Sequence, residues 1–144
     1  MDSPFLSTLH TNDALGSIPR LLDLNLDASV LADALIGVVS QRLVRCLCDA
    51  CRQPRRAPLL AVEEEFHRIT GDLPAYRPVG CEACGYTGFR GRLPIIETVE
   101  MTPQLRQALL TGGRSLATLK DAVQGHRRSM AASAKAWIVS GMTT

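Results

Sequence analysis

Two pairs of cysteines stand out, Cys48-Asp49-Ala50-Cys51 and Cys81-Glu82-Ala83-Cys84, with 29 residues between them. Each pair has the spacing of a chelating knuckle, and four thiolates in two knuckles are the donor set that tetrahedral Zn²⁺ takes in a closed structural site. Pro54 after the first knuckle and Gly85 and Gly88 after the second supply tight turns. Such a site has no open position for water, so the metal would fold the loop rather than do catalysis. Two other readings stay open. A dithiol redox pair would need a thioredoxin-like surround, which is not evident, and the thiols could also be packed without a metal. Cys46, two residues before the first knuckle, is a thiol packed in a strand or a spare ligand.

Other residue types give weaker signals. A phosphate-binding loop needs Gly-x-x-x-x-Gly-Lys-Ser/Thr, but the two lysines, Lys120 and Lys135, do not follow a glycine. His10 lies between an apolar run and a helix start, among Ser7, Thr8, Thr11 and Asn12, where a nucleotide site could use it. The alternative is a solvated or hydrogen-bonded histidine. His67 and His126 have charged helical surroundings and read as surface residues, and Glu63-Glu64-Glu65 reads as a polar helix face.

Composition limits the function classes. The 144 residues are 46% hydrophobic, enough for one compact domain, perhaps enlarged by an insertion, but not for a large multidomain enzyme. Sixteen basic against fourteen acidic residues leave a net charge of +2, and the six aromatics are scattered, so nucleic-acid binding is disfavoured. No stretch approaches the roughly 20 apolar residues of a membrane span, and no basic segment followed by an apolar run opens the chain. A soluble protein with reduced thiols in the cytosol is expected. Charge is uneven: five acids and one base precede Arg42, whereas Arg42 to Pro58 holds five arginines and Asp49. Four of these, Arg45, Arg52, Arg55 and Arg56, lie near enough in sequence to offset the charge of a tetrathiolate zinc site.

Certain elements must position these groups. Pro4 to Leu9 has the length of a buried strand, and Thr11-Asn12-Asp13 announces a helix with Leu15, Ile18 and Leu22 on one stripe. Asp27 announces a second helix, with Ala28, Leu31, Leu35 and Val39 in line. Ser40–Leu47 and Arg92–Val99 are strands that could pair as a hairpin, with Pro94 pushing the second toward an edge or bulge. The 44 residues between them form an insertion with one short helix around Val62, Phe66 and Ile69. It is too long to be unstructured unless something holds it. Three short helices follow, opened by Thr102-Pro103, Ser115 and Ser129, and too short to stand without packing together.

Taken in order, Leu6-Ser7-Thr8-Leu9-His10-Thr11-Asn12-Asp13-Ala14, Arg20-Leu21-Leu22-Asp23, Gln41-Arg42-Leu43-Val44-Arg45, the two knuckles, and Gly88-Phe89-Arg90-Gly91-Arg92 before Ile96-Glu97 resemble the C-terminal part of the general secretory pathway ATPases. These are the E proteins of type II secretion and the assembly ATPases of type IV pili. The resemblance implies an α/β fold: the C-terminal half of a RecA-like ATPase domain over residues 1–47, a tetracysteine zinc insertion over 48–91, and a return strand with a C-terminal helical bundle over 92–144. It implies that His10 is the histidine of the family's His box near the nucleotide γ-phosphate, and that Arg20 and Arg42 are nucleotide-proximal arginines. Cys48, Cys51, Cys81 and Cys84 match the family's zinc ligands. The full parent is implied to be a homo-hexamer that uses ATP and Mg²⁺. It would be cytoplasmic and peripheral to the inner membrane through secretion or pilus platform proteins, with no nucleic acid.

The family's Walker A loop, Asp box and Walker B segment all precede the His box, and this sequence begins at that box. The expectation is therefore a fragment that does not hydrolyse ATP by itself. The alternative is a free-standing zinc-binding interaction module without motor activity.

Overall fold

The computed structural model describes residues 4–112 and 114–144. In chain order the elements are α1 (Ser17–Asp23), α2 (Ala28–Ala34), β1 (Gly37–Leu47), β2 (Gln53–Pro54), α3 (Ala61–Thr70), β3 (Tyr76–Arg77), a 3₁₀ turn (Glu82–Cys84), β4 (Phe89–Glu100), α4 (Pro103–Gly112), α5 (Leu116–Ala122), β5 (Arg127–Arg128) and α6 (Met130–Val139). One sheet has the order β1-β4-β5 and a second pairs β2 with β3. The β4–β5 and β2–β3 pairs are antiparallel. The chain divides into two compact units, one running up to Ser40 with Glu97–Arg128, the other Gln41–Ile96 with Ser129–Thr144.

In the first unit the helix starts follow local capping rules. The Asp27 carboxylate accepts the Ser29 N–H at 2.7 Å to open α2, and the Thr102 hydroxyl accepts the Leu105 N–H at 3.2 Å in the first turn of α4. Leu15, Ile18 and Leu22 bury one stripe of the α1 region against a core that includes Leu31, Val99, Leu105, Leu109 and Leu119. Glu97 lies inside this unit at 1% exposure. Its Oε2 accepts the Ala14 N–H at 3.1 Å and its Oε1 accepts Arg127 Nε at 2.5 Å, so one carboxylate ties the entry of α1 and β5 to β4.

Pro4–Leu9, expected as a buried strand, is not one: the segment is without regular structure and Phe5 and Leu6 are 88% and 94% exposed. A strand needs neighbours to take its backbone groups, and among the described residues the sheets contain only β1 to β5.

The second unit is built around the insertion. The last helix, α6, belongs with the cysteine-bearing segment, while α4 and α5 belong to the first unit. The outer edge of β4 explains the attachment. Ser133 Oγ accepts the Ile96 N–H at 3.1 Å and Trp137 Nε1 donates to the Pro94 carbonyl at 3.2 Å, so side chains of α6 do what a neighbouring strand would do. Pro94 is tolerated within β4 because β5 pairs only with Thr98 and Val99, and no ladder bond is asked of it on that side.

Glu63 departs from the polar-face expectation. It is 5% exposed, caps α3 by accepting the Leu60 N–H at 2.8 Å, and receives Arg77 Nε on Oε1 at 2.6 Å. The Arg77 guanidinium holds the Glu63 carboxyl below the usual carboxylate range, and the Leu60 N–H acts in the same direction against the effect of burial.

Candidate metal centre

β1 delivers Cys48 at its end, and the chain turns back at once: the Cys51 and Arg52 N–H groups donate to the Cys48 carbonyl at 3.2 and 2.8 Å. This turn sets two thiols one knuckle apart. The second knuckle is the 3₁₀ turn, where the Cys84 N–H donates to the Cys81 carbonyl at 3.1 Å. Gly88 joins the two. Its carbonyl accepts the Cys48 N–H at 3.0 Å and its N–H donates to Cys84 Sγ at 3.3 Å. A Cβ on Gly88 would lie 2.7 Å from Pro78 Cβ, and its φ of +78° already favours glycine, so no other residue fits this crossing without displacement.

The four Sγ atoms all lie within 4.8 Å of one another. Cys48–Cys81 and Cys51–Cys84 are 3.9 Å apart and Cys81–Cys84 3.8 Å. A tetrahedron with metal–sulfur bonds of roughly 2.3 Å has edges of about 3.8 Å. The same spacing is far from the roughly 2 Å of a disulfide, and all five cysteines are free.

Backbone amides aim at the sulfurs. The Gly80 N–H donates to Cys51 Sγ at 3.3 Å and the Cys81 N–H to Cys84 Sγ at 3.2 Å. The Cys81 amide, followed by that of Gly88, pulls the Cys84 thiol down to about 6, whereas burial pushes Cys51 up to about 11. A cation among the four would favour the thiolate at each. Donor type, spacing and oriented amides all fit a structural metal ion such as zinc. With a cation bound by all four sulfurs, the arrangement would brace the loop and leave no position for a reacting water.

The expected basic surround has its own partners. Arg52 pairs with Asp49 at 2.9 Å, lies over the Tyr76 ring at 4.7 Å and donates to the Gly141 carbonyl at 2.7 Å. Arg55 donates to the Pro74 carbonyl at 3.2 Å, and Arg45 lies 4.0 Å from the Phe89 ring centroid. These arginines brace the turns around the sulfurs. Cys46 is half-buried on β1 and is not one of the four.

The other sequence-derived candidates lie elsewhere. His10 is exposed in the segment before α1, Arg20 is exposed on α1, and Arg42 is exposed on β1 in the second unit. Two carboxylates, Glu97 and Glu63, carry structural bonds that the residue types alone do not assign. Glu97 had a signal, since Leu93, Ile95, Glu97 and Val99 alternate onto the buried side of β4. Glu63 had another, as the third residue after a helix start.

Residues 3–144 match the family described as type II/IV secretion system protein. The chain is 37% identical over 139 residues to the type II secretion system protein E of Pectobacterium carotovorum subsp. carotovorum, covering 96% of this chain and 27% of that protein. It is 39% identical over 140 residues to the type II secretion system protein HxcR of Pseudomonas aeruginosa, covering 96% and 26%. With the type II secretion system ATPase E of Vibrio cholerae it shares 36% identity over 104 residues, 72% of this chain and 21% of that protein. The chain thus spans about a quarter of the length of these relatives. By the near-complete family match and these relatives, it belongs to the type II/IV secretion system protein family.

Proposed function

We propose that this chain is the C-terminal portion of a secretion or pilus-assembly ATPase, in which a tetracysteine module holding one Zn²⁺ is grafted onto half of a RecA-like domain. The observation that supports this most is the set of four Sγ atoms within 4.8 Å of one another, in a chain matched to the family over residues 3–144. In the full parent His10 would lie near the nucleotide γ-phosphate, with Arg20 and Arg42 close to the nucleotide. The parent would work as a homo-hexamer on the cytoplasmic side of the inner membrane, bound to platform proteins, and turn ATP hydrolysis into subunit extrusion.

A zinc ion held here would supply a cross-link between the knuckles and no reaction. Cys48 and Cys51 would hold it from the end of β1 and Cys81 and Cys84 from the 3₁₀ turn, with the Gly80, Cys81 and Gly88 amides donating to the sulfurs. The 144 residues contain no phosphate loop to cradle a triphosphate and Mg²⁺, so the chain by itself does not hydrolyse ATP.

Metal analysis of freshly purified, reduced protein tests the module: one zinc per chain is expected, and metal near zero overturns it. An in-frame upstream segment carrying a Walker A loop supports the motor. A stop codon with an independent promoter before this chain would instead support the free-standing zinc module.

A further inference from the structure

The C-terminal segment grips the first knuckle from both sides. Leu47, the residue before Cys48, donates its N–H to the Met142 carbonyl at 2.9 Å. Arg52, the residue after Cys51, donates Nη1 to the Gly141 carbonyl at 2.7 Å. Two residues further up β1, the Thr143 hydroxyl donates to the Arg45 carbonyl at 2.7 Å. Three consecutive residues near the chain's end therefore brace the strand end and turn that carry two of the four thiols.

Close packing sharpens the fit. Gly141 has a φ of +80°, and a Cβ there would lie 2.4 Å from Tyr76 Cδ2. The Tyr76 ring in turn lies under the Arg52 guanidinium. Gly141, Tyr76 and Arg52 form one stack, and the backbone carbonyl of Gly141 can reach Arg52 only because nothing larger than hydrogen separates it from the ring. Gly141 and Thr143 are both buried, although they lie within four residues of the last residue described.

We propose that Gly141–Thr143 is a latch on the metal site: closure of this segment and cation binding by the four cysteines are reciprocally coupled. The inference rests on the metal-binding reading above and adds a second set of residues to it. Groups that hold a ligand-bearing turn in place raise metal affinity without touching the metal, and losing one typically costs 10–100-fold in affinity. Linkage then requires the converse. A bound cation that rigidifies Cys48–Cys51 must strengthen the bonds from Leu47 and Arg52 to the C-terminal segment by the same factor. A movement of this segment in the parent protein would thus be felt at the sulfurs, and loss of the metal would release Gly141–Thr143.

The test uses the full 144-residue protein and Zn²⁺ alone, with affinity read by competition against a chromogenic chelator under reducing conditions. Gly141→Ala, which opens the latch sterically, is expected to bind Zn²⁺ at least ten-fold more weakly. Thr143→Val, which removes one hydroxyl bond and keeps the volume, is expected to bind several-fold more weakly while its circular dichroism is unchanged. Arg68→Ala, which removes an exposed ion pair with Glu65 on α3, serves as the control with unchanged affinity. In the unsubstituted protein, stripping the metal is expected to speed amide exchange at Leu47. Equal Zn²⁺ affinity in all variants, or unchanged Leu47 exchange on stripping, overturns the latch. Failure of the unsubstituted protein to bind Zn²⁺ at all overturns the metal reading instead.

Discussion

Glu63 on α3 and Arg77 on β3 form a two-pronged ion pair, Nε to Oε1 at 2.6 Å and Nη2 to Oε2 at 2.5 Å, with the second nitrogen also donating to the Pro58 carbonyl at 2.9 Å. The pair fixes the helix of the insertion to the small β2–β3 sheet. It also turns the helix so that its acid faces inward while Val62 and Ile69 are exposed. Glu63→Gln keeps the shape and removes the charge, leaving Arg77 half-buried without its counter-ion. A loss of about 3 kcal/mol in unfolding free energy is expected, measured by urea denaturation at pH 7.

The same pair predicts a pH dependence. Arg77 lowers the folded pKa of Glu63, so the unfolded chain binds more protons here and stability rises with pH across the window. The contribution is fully present above the ordinary glutamate value of roughly 4.3 and is lost as pH falls through the depressed folded value. The stability gap between the unsubstituted protein and Glu63→Gln should therefore narrow on acidification from pH 5. A gap that stays constant to pH 3 would show that the carboxylate charge is not what Arg77 needs.

Cys84 accepts two backbone amides and lies 3.8–3.9 Å from two other sulfurs. Cys84→Ser is expected to abolish stoichiometric zinc and to make the region from Cys48 to Gly91 susceptible to limited proteolysis. Retained zinc with an unchanged digestion pattern would mean that Cys84 is not a ligand.

Glu97 is the buried link between Ala14 and Arg127. Removing it strands a buried amide and a partly buried guanidinium, so Glu97→Ala should cost about 3–5 kcal/mol. Hydrogen exchange should report the loss first at the Ala14 amide, ahead of the α4 core. A uniform change across the first unit would contradict this local role.

On the proposed reading, purified protein of this sequence should show no ATP turnover above background, because the sequence carries no Gly-x-x-x-x-Gly-Lys-Ser/Thr motif. Turnover that disappears in His10→Ala would reverse that conclusion.

Much of the architecture was legible because its signals are local. Capping at Asp27, Ser115 and Ser129 opens α2, α5 and α6 where the sequence places helix starts. The two C-x-x-C pairs identify the thiols that converge, since two chelating pairs in one chain have few other uses. The caps and the spacing inside each knuckle depend on residues no more than four apart, whereas the meeting of the two knuckles across 33 positions is a tertiary event.

Tertiary structure decided the rest. Glu63 looked like one of three equivalent glutamates until Arg77, 14 residues away, took it inward. Glu97 meets Ala14 across 83 residues, and Thr143 meets Arg45 across 98. Pro4–Leu9 has strand composition but no strand, and α6 joined the cysteine module rather than α4 and α5. Composition and period state what a segment can do with a partner. Which partner takes its hydrogen bonds and buried area is a competition among distant segments, settled only when the chain is packed.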